Sequence, residues 1–177
     1  MWVVDVMNWR FLVHKDLSSA EKISIAKLKD QHWQYGVESQ IRWMNENIYL
    51  NDMHLIGEKE AEGKVKIQAY ITLSNVQVII DGISHEFIGI GGVCVDKCAQ
   101  HSGIGRQLME KADEYLDEQK KNGILLCKDA LVEFYRKCGW ESVCYQRAVV
   151  KGKKYKKQIM LFKRECNCES ITISRNF

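Results

Sequence analysis

The sequence predicts a mixed α/β domain, on three observations. Two helical apolar periods lie between Ser18 and Ile48, a Val- and Ile-rich extended run fills Met53 to Val95, and a strong helical period returns at Ile104. The first element is a short strand, Trp9 to Val13. Ser18 or Ser19 followed by Glu21 or Lys22 has the pattern of a helix start, where a hydroxyl accepts from an unpaired backbone N–H. Ile23, Ala26 and Leu28 carry the helical period to about Trp33; Gly36 breaks it, and Ile41, Met44 and Ile48 mark one face of a second helix. Four strands follow, Met53–Ile56, Val65–Leu73, Val76–Ile80 and Phe87–Val95, with Asp81-Gly82 as a hairpin turn of positive φ. Ile104, Leu108, Ala112, Tyr115 and Leu116 form a helix expected to stop at Asn122-Gly123. Ile124–Cys127 reads as a short buried strand, and Asp129 as the cap of a last helix running through Leu131, Val132, Phe134 and Tyr135 to Cys138-Gly139. Strands near Val143–Val150 and Gln158–Phe162 complete the order, and with no repeat or linker, residues 1–177 are expected to form one domain.

Composition narrows the function classes. A chain of 177 residues with 46% hydrophobic and 28% charged residues is globular rather than disordered or fibrous. No apolar run reaches the roughly 18 residues that span a bilayer, so no membrane partner is expected. The seven cysteines are odd in number, lack a repeated spacing and follow no charged-then-apolar leader; free thiols in a reducing, cytoplasmic setting are expected. Cys166-x-Cys168 has no second pair and no histidines at zinc spacing, so no metal site is expected. Net charge is +3, but the first 150 residues net −3 while residues 151–177 carry 8 basic and 2 acidic side chains. Lys151, Lys153, Lys154, Lys156 and Lys157 read as a solvated hairpin tip in preference to a nucleic-acid contact. The main body suits a cationic or neutral substrate at least as well as an anionic one.

One stretch carries chemistry. Val93-Cys94-Val95 enters a turn, Asp96 to Gly103, and an amphipathic helix starts at once. Free N–H groups and the positive end of a helix dipole bind phosphate there, glycines at 103 and 105 allow close approach, and Arg106 adds a donor. The loop is neither a P-loop, which needs Lys-Ser or Lys-Thr, nor a dinucleotide fingerprint, which needs a third glycine. Gly89-Ile90-Gly91-Gly92 lies inside an extended run and reads as a bulge or splay.

Gln100-x-x-Gly103-x-Gly105 after a Val-x-Val strand, with Phe134-Tyr135-x-x-x-Gly139-Trp140 some thirty residues on, resembles the GCN5-related N-acetyltransferase (GNAT) superfamily, and the order of elements is similar over nearly the whole chain. The resemblance implies a central mixed, mostly antiparallel sheet with a V-shaped splay and about four flanking helices. It implies acetyl-CoA (coenzyme A) as cosubstrate, with the backbone of Val93, Cys94 and Val95 holding the pantetheine arm, and Gln100, His101, Ser102, Gly103, Ile104, Gly105 and Arg106 around the pyrophosphate. It also implies Tyr135 beside the sulfur, where a phenol can protonate the departing thiolate.

The glutamate that the family often places on the strand before this loop is replaced by glycines, so Glu86, with His85 and Asp81 as alternatives, becomes the candidate base. Lys128 stands where many relatives carry an asparagine. Trp33, Tyr35, Glu38 and Trp43, with Tyr49 and Glu46 nearby, either pack the early helices or form one wall of an acceptor site for a cationic amine. The implied activity is acetyl transfer to a primary amine of a small cationic molecule such as an aminoglycoside or polyamine. A narrower likeness to aminoglycoside 2'-N-acetyltransferases lies in Gly91–Val95 and Phe134–Trp140. The alternatives are a protein lysine or N-terminus as acceptor, and a non-catalytic acyl-CoA sensor. A homodimer through an edge at Gln158–Phe162 is compatible with the sequence, as is a monomer.

Overall fold

The computed structural model describes residues 7–61 and 63–177. Its element order is β1 (Asn8–Val13), α1 (Ser19–Asp30), α2 (Val37–Asn47), β2 (Met53–Ala61), β3 (Lys64–Ile80), β4 (Ile83–Val95), α3 (Ile104–Glu118), β5 (Asn122–Cys127), α4 (Val132–Lys137), β6 (Trp140–Val150), β7 (Lys153–Tyr155), β8 (Gln158–Phe162) and β9 (Cys166–Ile173). The expected mixed α/β architecture, a large and mostly antiparallel sheet with four α-helices, is present. Contacts divide the chain into two compact units, Met1–Thr72 with Gly92–Leu108, and Leu73–Gly91 with Met109–Phe177.

In the first unit β1 pairs antiparallel with β2 from Asn8↔Glu58 to Val13↔Met53. The helix start at Ser18 is a full capping box: Ser18 Oγ accepts from the Glu21 N–H at 3.2 Å, and Glu21 accepts from the Ser18 N–H at 2.8 Å. Gly36, at φ +86, turns the chain into α2, and its N–H donates to Asp30 Oδ1 at 2.7 Å. The apolar sides of both helices bury Ile25, Leu28, Met44 and Ile48 against Ile56, Tyr70 and Cys94 of the strands. Each such side chain contributes roughly 1.5–3 kcal/mol by leaving water.

Six strands of the second unit, all but β7, carry its core. Asp81 (φ +46) and Gly82 (φ +83) form the expected tight hairpin between β3 and β4. The pairing continues from β4 to β5 in parallel, then antiparallel from β5 to β8 and β8 to β6. Strand β9 completes a circuit, parallel to β6 from Val143↔Cys166 to Val150↔Ile173 and antiparallel to β3 at Val78↔Ile173 to Ile80↔Ile171. Val78, Ile80, Phe87, Ile124, Val143, Val150, Ile159, Leu161, Ile171 and Ile173, drawn from all six strands, are buried in one cluster. The expected hairpin tip is only Lys151 and Gly152, both at positive φ, between β6 and β7; Lys153 and Lys154 lie in β7 itself, and Lys156 and Lys157 lie between β7 and β8.

Five local expectations are corrected. Val65–Leu73 and Val76–Ile80 are one 17-residue strand, because Ser74 is buried within it rather than exposed in a turn. Helix α3 ends before Asn122-Gly123: Lys120 takes the left-handed position at φ +50, Lys121 N–H donates to Leu116 C=O and Lys120 N–H to Asp117 C=O. This is the Schellman closure with lysine in glycine's place. Gly123 instead serves packing, since a Cβ there would meet Leu116 at 2.6 Å and Trp140 at 2.7 Å. Asp129 does not cap α4; it lies in a 3-10 turn, Asp129–Leu131, and its Oδ1 accepts from Gln158 Nε2 at 2.8 Å. Strand β9 was not expected. Gln158–Phe162 is no edge, being paired on one side with β5 and on the other with β6.

Candidate functional site

The loop between β4 and α3 is held from within the first unit. Asp96 organises it: Oδ1 accepts from Cys98 N–H at 3.0 Å, Oδ2 accepts from Gln31 at 3.3 Å and pairs with Lys66 at 2.8 Å. Burial pushes its carboxyl up, but those hydrogen bonds and Lys66 leave it below the usual range, so it stays ionised. Gln31 Oε1 takes the Lys97 N–H at 2.9 Å, and His32 Nε2 meets Val95 C=O at 2.7 Å. Beyond this anchor the chain is open. Gln100, His101, Ser102, Gly103 and Arg106 are exposed and Ile104 and Gly105 half-buried; His101 and Gly103 both have positive φ, and a Cβ on Gly103 would meet nothing within 4 Å. The Gln107 N–H donates to the Gly103 carbonyl at 3.0 Å, so the helix begins directly after the glycine, and the first turn of a helix directs its N–H groups out of its N-terminus. This arrangement fits an anion approached by bare backbone.

Of the preceding strand, Val93 is half-buried, Val95 has its carbonyl engaged by His32, and Cys94 points into the apolar cluster. Burial pushes the Cys94 thiol up to about 12, which removes it as a nucleophile. Gly92 sits at φ +60, a conformation that favours glycine. In the second unit the parallel register of β4 with β5 runs from Phe87↔Asn122 to Ile90↔Leu125, and each strand continues beyond it. Here Phe177 lies on β4: a Cβ on Gly89 would be 2.5 Å from its ring, and one on Gly91 would run into its backbone.

Residues 55–142 match the family model for an acetyltransferase (GNAT) domain. The chain carries a GNAT acetyltransferase domain. No curated protein matches its sequence. Its GNAT fold is similar to that of Escherichia coli ElaA, at 20% identity over 89% of this chain and 99% of that chain, with a TM-score of 0.63. An acyl-CoA N-acyltransferase from Pseudomonas aeruginosa matches with the same identity, coverage and TM-score. A GNAT family acetyltransferase from Brucella melitensis in complex with acetyl-CoA matches at 20% identity, over 77% of this chain and 84% of that chain, with a TM-score of 0.54.

The remaining sequence candidates of this GNAT chain fall into distinct settings. Tyr135 is 6% exposed on α4, its ring edge-on to Phe134. Glu86 is exposed, pairs with Lys121 at 3.2 Å and lines a cleft of about 210 Å³ with Gln77 and Phe87. His85 stands edge-on to Phe87, while Asp81 is committed to β9, accepting from Ser170 N–H at 2.7 Å. Lys128 is exposed. The aromatic group on the early helices divides: Trp33 and Trp43 pack against the core, whereas Tyr35, 73% exposed, and Glu38 face solvent. The face of Trp43 already holds a cation, the Nζ of Lys29, 4.3 Å from the ring centroid. Burial holds that lysine down to about 8. Among the described residues no group of three or more His, Cys, Asp or Glu side chains could hold a metal, and no helix is long and apolar enough to cross a membrane.

Sequence reasoning missed a buried polar chain in the first unit, His14, His54, Tyr70 and Thr72, because its members come from three separate elements and follow no motif. It also missed Phe177 on Gly89. The glycine cluster was the available signal, since a residue without a side chain inside a strand often marks something packed against it.

Proposed function

We propose that this GNAT chain transfers an acetyl group from acetyl-CoA to a primary amine of a small cationic molecule, an aminoglycoside or a polyamine, and that residues 1–177 act as one acyltransferase domain. The observation that carries this reading is the exposed His101–Arg106 turn, with Gly103 open to close approach at the start of a 15-residue helix. The acetyl-CoA bound to the Brucella melitensis relative supports the choice of donor.

Gln100 through Arg106 would hold the pyrophosphate, and the backbone of Val93 and Cys94 the pantetheine arm. Bound there, acetyl-CoA supplies an activated thioester. The amine attacks it directly, backbone N–H donors face the developing oxyanion, and Tyr135 gives its phenolic proton to the leaving thiolate. A covalent cysteine carrier is disfavoured by the high pKa of Cys94. Trp33, Tyr35, Glu38 and Trp43 are assigned to the acceptor, with Tyr35 and Glu38 the exposed members.

The test is release of CoA thiol from acetyl-CoA with a panel of amines, including a polyamine and an aminoglycoside, for wild type and Tyr135→Phe. The reading expects turnover on at least one small amine. It also expects a loss on the order of 10²-fold or more in kcat for the variant with acetyl-CoA affinity kept. Binding without turnover on any small amine would turn the reading toward a protein acceptor or a sensor. An unchanged rate in Tyr135→Phe would remove its role as acid.

A further inference from the structure

Four side chains of the first unit are joined end to end inside its core. His14 Nδ1 meets His54 Nε2 at 2.9 Å, His54 Nδ1 meets the Tyr70 hydroxyl at 2.8 Å, and that hydroxyl meets Thr72 Oγ1 at 3.2 Å. His54, Tyr70 and Thr72 have no exposed surface and His14 is 5% exposed. Apolar side chains would fill this volume without the desolvation that four buried polar groups cost. The far end of the chain lies against β4 where that strand is bare: the Cβ position of Gly92 is 3.3 Å from Tyr70 Cε1 and 3.4 Å from Thr72 Oγ1. Gly92 is half-exposed and opens the stretch assigned above to the thioester donor.

We propose that His14, His54, Tyr70 and Thr72 form a proton relay that takes the proton released by the attacking amine at Thr72 and delivers it to His14. The relay has this role only if the chain transfers acetyl groups, as proposed above. It supplies the base whose usual position on β4 is occupied by glycines.

At rest Thr72 donates to Tyr70, Tyr70 donates to His54 Nδ1, and His54 Nε2–H donates to His14 Nδ1. A proton arriving on Thr72 Oγ1 shifts one proton along each bond, the polarity of the chain reverses, and His14 becomes the imidazolium. Its Nε2 proton then passes to solvent, and only O–H and N–H bonds have been exchanged. Neutral imidazoles are required at rest. Burial holds His54 down to about 3 and His14 below the usual range, with Lys22 adding to the effect at His14. Asp52 opposes it there, which favours the transient cation; the Asp52 carbonyl accepts from the His14 N–H at 2.8 Å. Lys29 of α1 and Cys94 of β4 are the other titratable groups facing the chain.

Tyr70→Phe and Thr72→Val preserve shape and each removes one hydroxyl. The experiment has two arms on the full chain. In the first, nitrogen NMR of labelled histidines reads coupling: in Tyr70→Phe the His14 resonances should move together with those of His54. Unmoved His14 resonances would overturn the relay whatever the turnover. In the second, thiol release from acetyl-CoA is measured with spermidine and with water as acceptors, in H2O and in D2O. Both variants should bind acetyl-CoA as wild type does, release thiol on the order of 10²-fold more slowly and lose the wild-type solvent isotope effect. Unchanged rates in both variants, or wild type that binds acetyl-CoA yet releases no thiol to either acceptor, would remove the relay's role. Failure of wild type to bind acetyl-CoA would instead overturn the acetyl-transfer reading, and the NMR arm would still decide whether the four groups are coupled.

Discussion

The ring of Phe177 occupies the space that a side chain at Gly89 would need, with Cγ 2.5 Å from the glycine's Cβ position. The segment before it is held on β3, where Ser174 N–H donates to Gln77 C=O at 3.0 Å and Arg175 Nη1 donates to Asn75 C=O at 3.3 Å. The glycine in β4 and the aromatic at 177 are therefore two halves of one contact. Gly89→Ala should destabilise the protein by about 1–3 kcal/mol through overpacking. In a Phe177→Ala background the same substitution should cost much less. A double-mutant cycle by urea unfolding reads the difference, and additive effects would refute the pairing.

Asp113 predicts an unusual pH dependence. Its Oδ1 accepts from the Trp140 indole N–H at 3.1 Å, and burial pushes its carboxyl up to about 7, with Trp140 and Lys163 opposing. The unfolded chain ionises this group near 4, so between about 4 and 7 the unfolded state holds fewer protons than the folded one. Stability from this group is full at low pH and falls as pH rises through that window. Asp113→Asn keeps an acceptor and cannot ionise. Unfolding midpoints of wild type should fall relative to the variant from pH 4 to pH 8, and a constant difference would contradict the assignment.

Lys120 ends α3 in a conformation that costs a β-carbon residue roughly 1 kcal/mol. Lys120→Gly should therefore raise stability by a similar amount, read as a higher denaturant midpoint at unchanged slope. A loss of stability would mean that the lysine side chain contributes more than its backbone strain costs.

What was legible in the sequence was local. Ser18 and Glu21 lie three residues apart and announce their own capping box, Asp81-Gly82 specifies a turn from two residues, and the glycine-bearing loop is contiguous with its helix. Strand β9 was not legible, since Cys166–Ile173 alternates weakly and finds β3 some ninety residues away. Pairing over such distances is set by which edges remain open rather than by the segment itself. Lys120 hid the true end of α3 because glycine, the usual signal, stood three residues later for a packing reason. In the candidate site the glycine-bearing turn and the helix after it were readable, while the His14–His54–Tyr70–Thr72 chain was not. Each of its members is an ordinary strand or turn residue until the fold joins them.

The central claim is that the His101–Arg106 turn holds the diphosphate of an acyl-CoA, and calorimetric titration of acetyl-CoA into wild type and Gly103→Val tests it most directly. Gly103 has φ +87 and open space beyond it, so a branched side chain there strains the turn and fills the space an anion would use without clashing with the protein. Saturable binding by wild type that weakens in Gly103→Val, with the variant still folded, is the predicted result. No binding of acetyl-CoA by wild type, or equal binding by both proteins, would contradict it.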